Sequence, residues 1–225
     1  QNYREELARI RRLDRGGSGG GDFYRASWEN AGMETVTYET IEVGAPDANI
    51  PMRRIQQSNP DVIMDMTSSA AESANLYRAR ARLRDETVIF GNNALGGTPH
   101  IWEIAGTTLD GTLIVDFVSS SNPNTAALKE VYEAEHGENS FVGLHANVWD
   151  GLMLIKKAVE TAGSTDGTAA RDEFQKISDF PASFGQPGFR HHYSEERHNG
   201  TSMSAHIILQ FKDGLPSVVW DVFQP

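Results

Sequence analysis

From residue 23 onward, short apolar runs alternate with segments whose apolar residues recur at helical spacing. The runs are largely apolar throughout, which is typical of strands buried on both faces of a parallel sheet. The pattern predicts helices at 23–31, 50–58, 69–83 and 101–105, and strands at 35–39, 62–66, 88–90 and 112–117. This order predicts an α/β fold in which helices flank a parallel sheet.

Beyond residue 117 the pattern becomes mainly helical. Helices are predicted at 125–135, 146–162 and 168–177. Because these helices cannot bury their apolar faces on one another alone, they predict part of a second lobe. The last two predicted strands, 204–211 and 218–223, flank the dipeptide Asp213-Gly214. Asp-Gly between two β-rich runs is a strong signal for a hairpin.

The N-terminal segment has a different character. Leu7 and Ile10 fall on one side of the charged segment 2–14, which predicts a helix. A phosphate-binding loop follows a strand and usually ends in a Lys. The glycine-rich run Arg15–Gly21 follows a predicted helix and has no Lys after it, which favours a flexible linker. We therefore expect four parts: an atypical helix with a Gly-rich linker (1–21), an α/β lobe (22–117), a mainly helical part of the other lobe (118–200), and a hairpin that returns to the α/β lobe (201–225).

Composition and charge exclude several classes of function. The net charge is −11, from 31 acidic and 20 basic residues. A nucleic-acid partner is not expected, because a phosphate footprint needs clustered Lys and Arg. The chain has no Cys, which excludes disulfides, thiol nucleophiles and cysteine metal sites. No apolar run approaches the ~20 residues of a membrane helix, and no signal peptide begins the chain, so an exported parent would already have lost its leader.

The histidines near the C-terminus, His191, His192 and His198, stand close to Glu195 and Glu196. Adjacent histidines of an extended segment point to opposite sides, and no helical His-x3-His spacing accompanies them, so neither a metal nor another cofactor is expected. The chain also lacks a Gly-x-Ser-x-Gly elbow and a convincing His–carboxylate pair. We therefore do not expect an enzyme.

The passage Asn59–Tyr77 runs from an apolar strand through a turn rich in hydroxyl groups into a helix. Open α/β sheets bind solutes in polar loops outside the carboxyl ends of their strands, next to helix N-termini. Asp65 interrupts the apolar strand, where a carboxylate must find a partner. The passage therefore predicts a small-molecule site.

Several segments resemble, in the same order, landmarks of the leucine/isoleucine/valine-binding family of ABC-transporter solute-binding proteins, which have the type I periplasmic binding fold. The segments are Ala31–Val36, Ile55–Ile63, Ile104–Leu113, Val148–Gly163, Gly185–Tyr193 and Lys212-Asp213-Gly214. The resemblance runs from about Asp22 to the end of the chain. Family members also have a longer upstream part and a strand before the helix near Asp22, which implies that most of the N-terminal lobe is lacking here.

The resemblance implies a binding protein, located in the periplasm or at the cell surface, that closes two hinged lobes around a small polar solute such as an amino acid or amide. Its implied partner is the permease of the ABC transporter. The hinge crossings are expected near 116–119 and 198–202. A ligand-sensing or regulatory domain of the same fold is the alternative, and a hydrolase is less favoured. The incomplete lobe predicts self-association.

By position, the resemblance implies ligand contacts from the loop after Met66 and the loop after Phe90. These contacts are Asp65, Thr67 and Ser68 from the first loop, and Asn92, Asn93 and Ala94 from the second. Branched-chain amino-acid binders carry an aromatic and an acidic residue where this chain has Ser68 and Asn93. A neutral amide does not offset the desolvation of a ligand ammonium group, so an ordinary amino acid is disfavoured unless Asp65 substitutes.

Each of these residues also has a structural interpretation. Thr67 and Ser68 are suited to cap the following helix, and the two asparagines are typical of a loop with unusual backbone angles. Trp102 lines the mouth of the ligand cleft in one interpretation and packs into the core in the other.

Overall fold

The computed structural model describes residues 6–12, 24–67 and 69–220, and gives side chains for 24–67 and 69–217. The strands are β1 (Glu6–Arg12), β2 (Glu34–Ile41), β3 (Val62–Asp65), β4 (Val88–Gly91), β5 (Leu113–Asp116), β6 (Phe180–Pro181), β7 (Arg190–His191), β8 (Ile207–Lys212) and β9 (Leu215–Trp220). The helices are α1 (24–30), α2 (Asn49–Ser58), α3 (Ala70–Leu83), α4 (Asn93–Gly96), α5 (Pro99–Ala105), α6 (Pro123–His136), α7 (Gly143–Ala162) and α8 (Gly167–Phe174).

The chain divides into two compact units. The first is Gln1–Val115 with Leu209–Ser217, and the second is Asp116–Ile208 with Val218–Pro225. The sequence placed boundaries after residue 117 and at 201, and the units divide after Val115 and at Leu209. Within the described ranges, none of the helices is long and apolar enough to cross a membrane.

Seven strands form one sheet in the order β2-β1-β3-β4-β5-β8-β9. Strands β1 to β5 pair in parallel, with Ile10 of β1 opposite both Glu39 of β2 and Asp65 of β3. The predicted α/β fold with a parallel sheet flanked by helices is therefore confirmed. The strand order changes direction at β1, because β2 lies on one side of it and β3 on the other. In open α/β sheets ligands bind at such a switch point, outside the carboxyl ends of the strands.

The helix predicted at 2–14 is wrong over residues 6–12, which form β1. This strand pairs with β2 along one edge and with β3 along the other. Pairing on both sides stabilises a strand even where the local sequence favours a helix. The spacing of Leu7 and Ile10 reports only that local preference. A strand, not a helix, thus comes before the glycine-rich run. The predicted linker itself lies in residues 13–23, outside the described part of the chain.

The core of the first unit lies between the sheet and its helices. The inner strands β3, β4 and β5 contribute Ile63, Ile89 and Ile114, which are all fully buried. Helix α3 begins where the side chain of Ser69 accepts a hydrogen bond from the N–H of Glu72, and it ends at a left-handed residue, Arg84. Such caps satisfy backbone groups that the helix itself leaves unpaired. They fix α3 directly after β3, beside the switch point.

The second unit is built around α7. One face of α7 is buried: Gly143, Ala146, Asp150, Leu154 and Ala158. A cluster of aromatic and small residues packs near Ala146, namely Phe141, Ala182, Phe184, Phe189 and Ala205. The side-chain amide of Asn122, the N-cap of α6, donates to the carbonyl oxygens of Phe184 and Gly185. These contacts hold α6 and the segment after β6 in one body.

Gly143, the first residue of α7, has no room for a side chain. A Cβ there would lie 2.4 Å from Oδ1 of Asp116 and 3.3 Å from Cγ2 of Val118. Because overpacking of a buried site costs about 1–3 kcal/mol, we expect Gly143→Ala to lower the free energy of unfolding by about 2 kcal/mol in urea denaturation. Gly167, the first residue of α8, is a matched control, since nothing lies within 4 Å of its Cβ position. Equal losses in Gly143→Ala and Gly167→Ala would contradict the steric argument.

Candidate functional site

The carboxyl ends of β1, β3 and β4 are neighbours in the sheet of the first unit. The loop after β3 leads through Met66 and Ser69 into α3, and the loop after β4 leads through Asn92 into the short helix α4. Oδ1 of Asn92 caps α4 by accepting from the N–H of Ala94 at 2.8 Å. Both loops therefore connect strand ends to capped helices at the edge of the sheet where ligands bind.

Asp65, the last residue of β3, is 1% exposed. Its Oδ1 accepts hydrogen bonds from the backbone N–H of Thr67 (2.8 Å) and from the hydroxyl of the same residue (2.6 Å). Its Oδ2 accepts a hydrogen bond from the hydroxyl of Tyr77 on α3 (2.9 Å). Burial raises the pKa of Asp65, and the hydrogen bonds from Thr67 and Tyr77 oppose this rise. The carboxyl group is thus engaged within the unit and holds the turn after β3 against α3.

Asn92 joins the two loops. Its backbone N–H donates to the carbonyl oxygen of Asp65 (3.1 Å), and its side-chain amide donates to the carbonyl oxygens of Thr67 (2.8 Å) and Asp65 (3.2 Å). The hydroxyl of Thr67 lies 2.7 Å from that of Ser73, which extends the network to α3. Because these buried and half-buried groups pair with one another, they hold both loops in one arrangement. We refer to Asp65, Thr67, Ser73, Tyr77 and Asn92 as the loop network.

The structure places three of the predicted ligand residues, Asp65, Thr67 and Asn92, in the loop network. Thr67 is buried with the network. Asn93, the first residue of α4, is exposed, and Ala94 is half-buried. Ser68 lies outside the described residues. Among the predicted polar side chains that the structure describes, that of Asn93 is therefore the most exposed.

Trp102 lies in the core of the first unit and is 8% exposed. Its indole N–H donates to the carbonyl oxygen of Leu95 (2.6 Å), and its ring meets Phe211 of β8 edge to face, with ring centroids 6.2 Å apart. These contacts correspond to the packing interpretation of Trp102. They also occupy the single hydrogen-bond donor of the indole.

The described residues of the two loops present no free carboxylate. Asp65 is engaged by the loop network, and Oε1 of Glu72, which is also buried, accepts from the backbone N–H of Gly44 (2.8 Å). A ligand ammonium group would lose its hydration here without gaining an anionic partner. The loops instead offer the amide of Asn93 and backbone groups, which suit the neutral polar groups of a ligand.

Sequence analysis missed a buried His–carboxylate pair in the second unit. Nε2 of His191 lies 2.9 Å from Oδ2 of Asp150, and the two side chains are 3% and 2% exposed. The same Oδ2 accepts from the backbone N–H of Ser183 (2.7 Å). Nδ1 of His191 and Oδ1 of Asp150 have no hydrogen-bond partner among the described residues. The two residues are 41 positions apart, so no local spacing signals their contact.

The pair has a structural role, and we call the contact between Asp150 and His191 the buried tie. The rings of Phe184 and Phe189 surround that of His191, with centroids 5.0 and 5.4 Å away. No group of His, Asp and Glu within the described ranges is arranged to hold a metal ion. The pair therefore fastens β7 and the segment at Ser183 to α7.

A groove of about 370 Å³ also lies within the second unit. Helices α7 and α8 and the segment 193–198 line it, with Ile155, Phe174 and Tyr193 among the apolar side chains and Arg171 and Arg197 among the polar ones. Its lining is mainly apolar, which distinguishes it from the polar loops of the first unit.

Known proteins are similar to this chain in sequence and in fold. The family model described as periplasmic binding protein matches residues 10–214. Leu/Ile/Val-binding protein homolog 3 of Brucella melitensis is 27% identical over 155 residues, which make up 68% of this chain and 41% of that protein.

Solved structures show the same likeness. A type 1 periplasmic binding protein from Bordetella pertussis has a TM-score of 0.78 at 23% identity, over 96% of this chain and 61% of that one. The leucine-binding protein LivK of Thermotoga maritima has a TM-score of 0.79 at 21% identity, over 96% of this chain and 59% of that one. At this identity the structural likeness shows the fold alone. The chain spans less than two thirds of the length of each of these relatives.

Proposed function

The chain belongs to the periplasmic binding protein family, and from this premise we propose that it is part of the solute-binding component of an ABC transporter. The component captures a small polar solute outside the cytoplasm, in the periplasm or at the cell surface, and presents it to the membrane permease without chemical change. The leucine-binding protein and the Leu/Ile/Val-binding homologue support a solute of amino-acid size.

The observation that carries this proposal is the loop network at the switch point of the first unit. Asp65 and Asn92 hold the loops after β3 and β4 together through backbone and side-chain hydrogen bonds. Loops that are already ordered lose little conformational entropy when a ligand binds. The ligand then needs only directed hydrogen bonds, which the exposed amide of Asn93 and nearby backbone groups are suited to make.

We expect this site to prefer a neutral amide over a free amino acid, because the described residues of the two loops present no free carboxylate for an ammonium group. Thermal unfolding in the presence of leucine or of isovaleramide, which has a similar apolar group, measures the preference. A ligand at about 100 times its dissociation constant stabilises a protein by about 2.7 kcal/mol, so the midpoint should rise with isovaleramide and much less with leucine. A larger rise with leucine would contradict the preference while supporting solute binding.

Two single variants test whether the ligand binds at Asn93. Asn93→Ala should abolish the rise in midpoint and leave the ligand-free midpoint unchanged, since Asn93 is exposed. Gln57→Ala, which removes an exposed amide from α2, is the matched control and should keep the full rise. Native mass spectrometry of the freshly purified protein gives an independent readout. A spectrum without a retained ligand, together with unchanged midpoints for both solutes, would contradict the proposed site.

A further inference from the structure

The first turn of α7 is closed by a hydrogen bond to an imidazole ring. Nδ1 of His145 accepts from the backbone N–H of Val142, the N-cap residue, at 3.1 Å. The backbone N–H of His145 donates in return to the carbonyl oxygen of Val142 at 3.0 Å. In a capping box, the side chain at the third helical position also reaches back to the N-cap N–H, and it usually belongs to Glu or Gln. Here a ring that titrates near neutral pH takes that position.

This hydrogen bond fixes the protonation state of the ring. A backbone N–H can only donate, so Nδ1 of His145 must present its lone pair, and the proton of the neutral ring lies on Nε2. Nε2 is 3.2 Å from the hydroxyl oxygen of Tyr132 on α6, which accepts a hydrogen bond from it. A protonated ring carries N–H groups at both nitrogens and would turn one of them towards the N–H of Val142. The closed turn therefore requires a neutral His145.

The surroundings of His145 disfavour its charged form. Partial burial lowers the pKa of His145 below its ordinary value, and the neighbouring His136 in the last turn of α6 lowers it further. The centroids of both imidazole rings lie 4.3 Å from that of the Tyr132 ring, so the two histidines share one corner of the second unit. A cation in the first turn of a helix also faces the positive end of the helix dipole.

Three other groups near the turn favour a cation, namely the ring face of Tyr132 and the carboxyl groups of Glu133 and Asp116. Oε1 of Glu133 is 3.8 Å from Nζ of Lys129, which offsets its charge. Burial raises the pKa of Asp116 to about 6, so this group loses its charge in the acidic range. The pKa of His145 is lowered in their presence, which means that burial and His136 outweigh them.

We propose that the first turn of α7 is a pH-sensitive switch, which is closed while His145 is neutral and opens when the ring takes up a proton. Opening breaks the hydrogen bond from Val142 and uncovers Phe141 and Gly143, which are buried in the closed turn. Because the open turn takes up a proton more readily than the closed one, the closed form loses stability as the pH falls below about 6.5, the ordinary pKa of a histidine. The switch does not depend on the proposed solute site.

Hydrogen exchange of the amides of Val142 and His145, expressed as protection relative to the intrinsic rate at each pH, reports whether the turn is closed. Between about pH 7.5 and about pH 4.5 we expect this protection to fall at least tenfold, while that of Leu154, further along α7, stays the same. His145→Gln should keep the protection at both pH values, because Gln accepts at the third helical position and does not titrate. An equal fall at Leu154, or in His145→Gln, would overturn the proposal.

NMR of the imidazole nitrogens gives a second readout. Above about pH 7 the neutral ring of His145 should carry its proton on Nε2. His136→Gln removes the neighbouring cation, so the ring of His145 and the protection of Val142 should both titrate at a higher pH. His100→Gln is the matched control, since His100 is exposed on α5 of the first unit, and it should leave both titrations unchanged. A proton on Nδ1, a titration that His136→Gln does not move, or a protonated ring beside a protected Val142 would contradict the switch.

Discussion

Asp150→Ala is expected to lower the free energy of unfolding of the second unit by about 3–5 kcal/mol, because it removes the acceptor of two buried groups and opens a cavity. The carboxylate accepts hydrogen bonds from the N–H of Ser183 and from Nε2 of His191, and both groups are buried. Each donor left unpaired in the interior costs about 1–3 kcal/mol. The missing side-chain atoms add a cavity against α7, which increases the loss further.

Hydrogen exchange of the amides of α7 and of Ser183 measures the loss within the second unit. Asp150→Asn keeps the side-chain volume and one acceptor, so we expect it to lose only about 1–2 kcal/mol. Asp172→Ala on α8 is the surface control, and its effect should stay within about 0.5 kcal/mol, because Asp172 is exposed beside Arg171. A loss for Asp150→Ala as small as that for Asp172→Ala would show that the buried tie contributes little.

The buried tie between Asp150 and His191 could not be predicted from the sequence. The apolar runs and helical spacings predict the α/β alternation correctly because each of these patterns is local. By contrast, Asp150 and His191 come together only after α7 and β7 have packed, so their 41-residue separation hides the contact. From the sequence, His191 was considered only with the histidines and glutamates close to it in the chain, although its partner Asp150 lies on another element.

Strand β1 is the clearest error, and it has the same cause. In Glu6–Arg12 four of seven residues are charged, and Leu7 and Ile10 are three positions apart, which favours a helix locally. The strand forms because β2 and β3 pair with it on both sides, and such pairing depends on tertiary structure. Charge along a segment therefore does not exclude an inner strand.

The candidate site was more accessible to prediction. The polar turn after an apolar strand indicates a site near Asp65, and the resemblance to the binding-protein family implies Thr67 and Asn92 by position. Neither argument indicates Tyr77, whose hydroxyl donates to Asp65 from the second turn of α3. The prediction that Asp65 binds the ligand stays a prediction, since its oxygens serve the loop network.

A second buried carboxylate titrates in an accessible pH range. Asp116 begins the second unit and is 3% exposed. Burial raises its pKa from 3.8 to about 6, while hydrogen bonds from the backbone N–H groups of Phe117 and Val118 oppose the rise. Between these two pH values the folded protein keeps a proton that the unfolded chain has released. Stability therefore falls as the pH rises through this window, by about 3 kcal/mol from the gap between the two pKa values.

Asp116→Asn removes this titration and keeps an oxygen to accept the N–H of Phe117. Urea denaturation of both proteins across the acidic range measures the effect, and all other carboxylates cancel because both proteins contain them. The stability of the wild type relative to Asp116→Asn should fall by about 3 kcal/mol between pH 4 and pH 7, and the fall should be complete soon after the pH passes 6. A difference that does not change with pH would mean that Asp116 ionises alike in the folded and unfolded chain, so that its burial carries no cost.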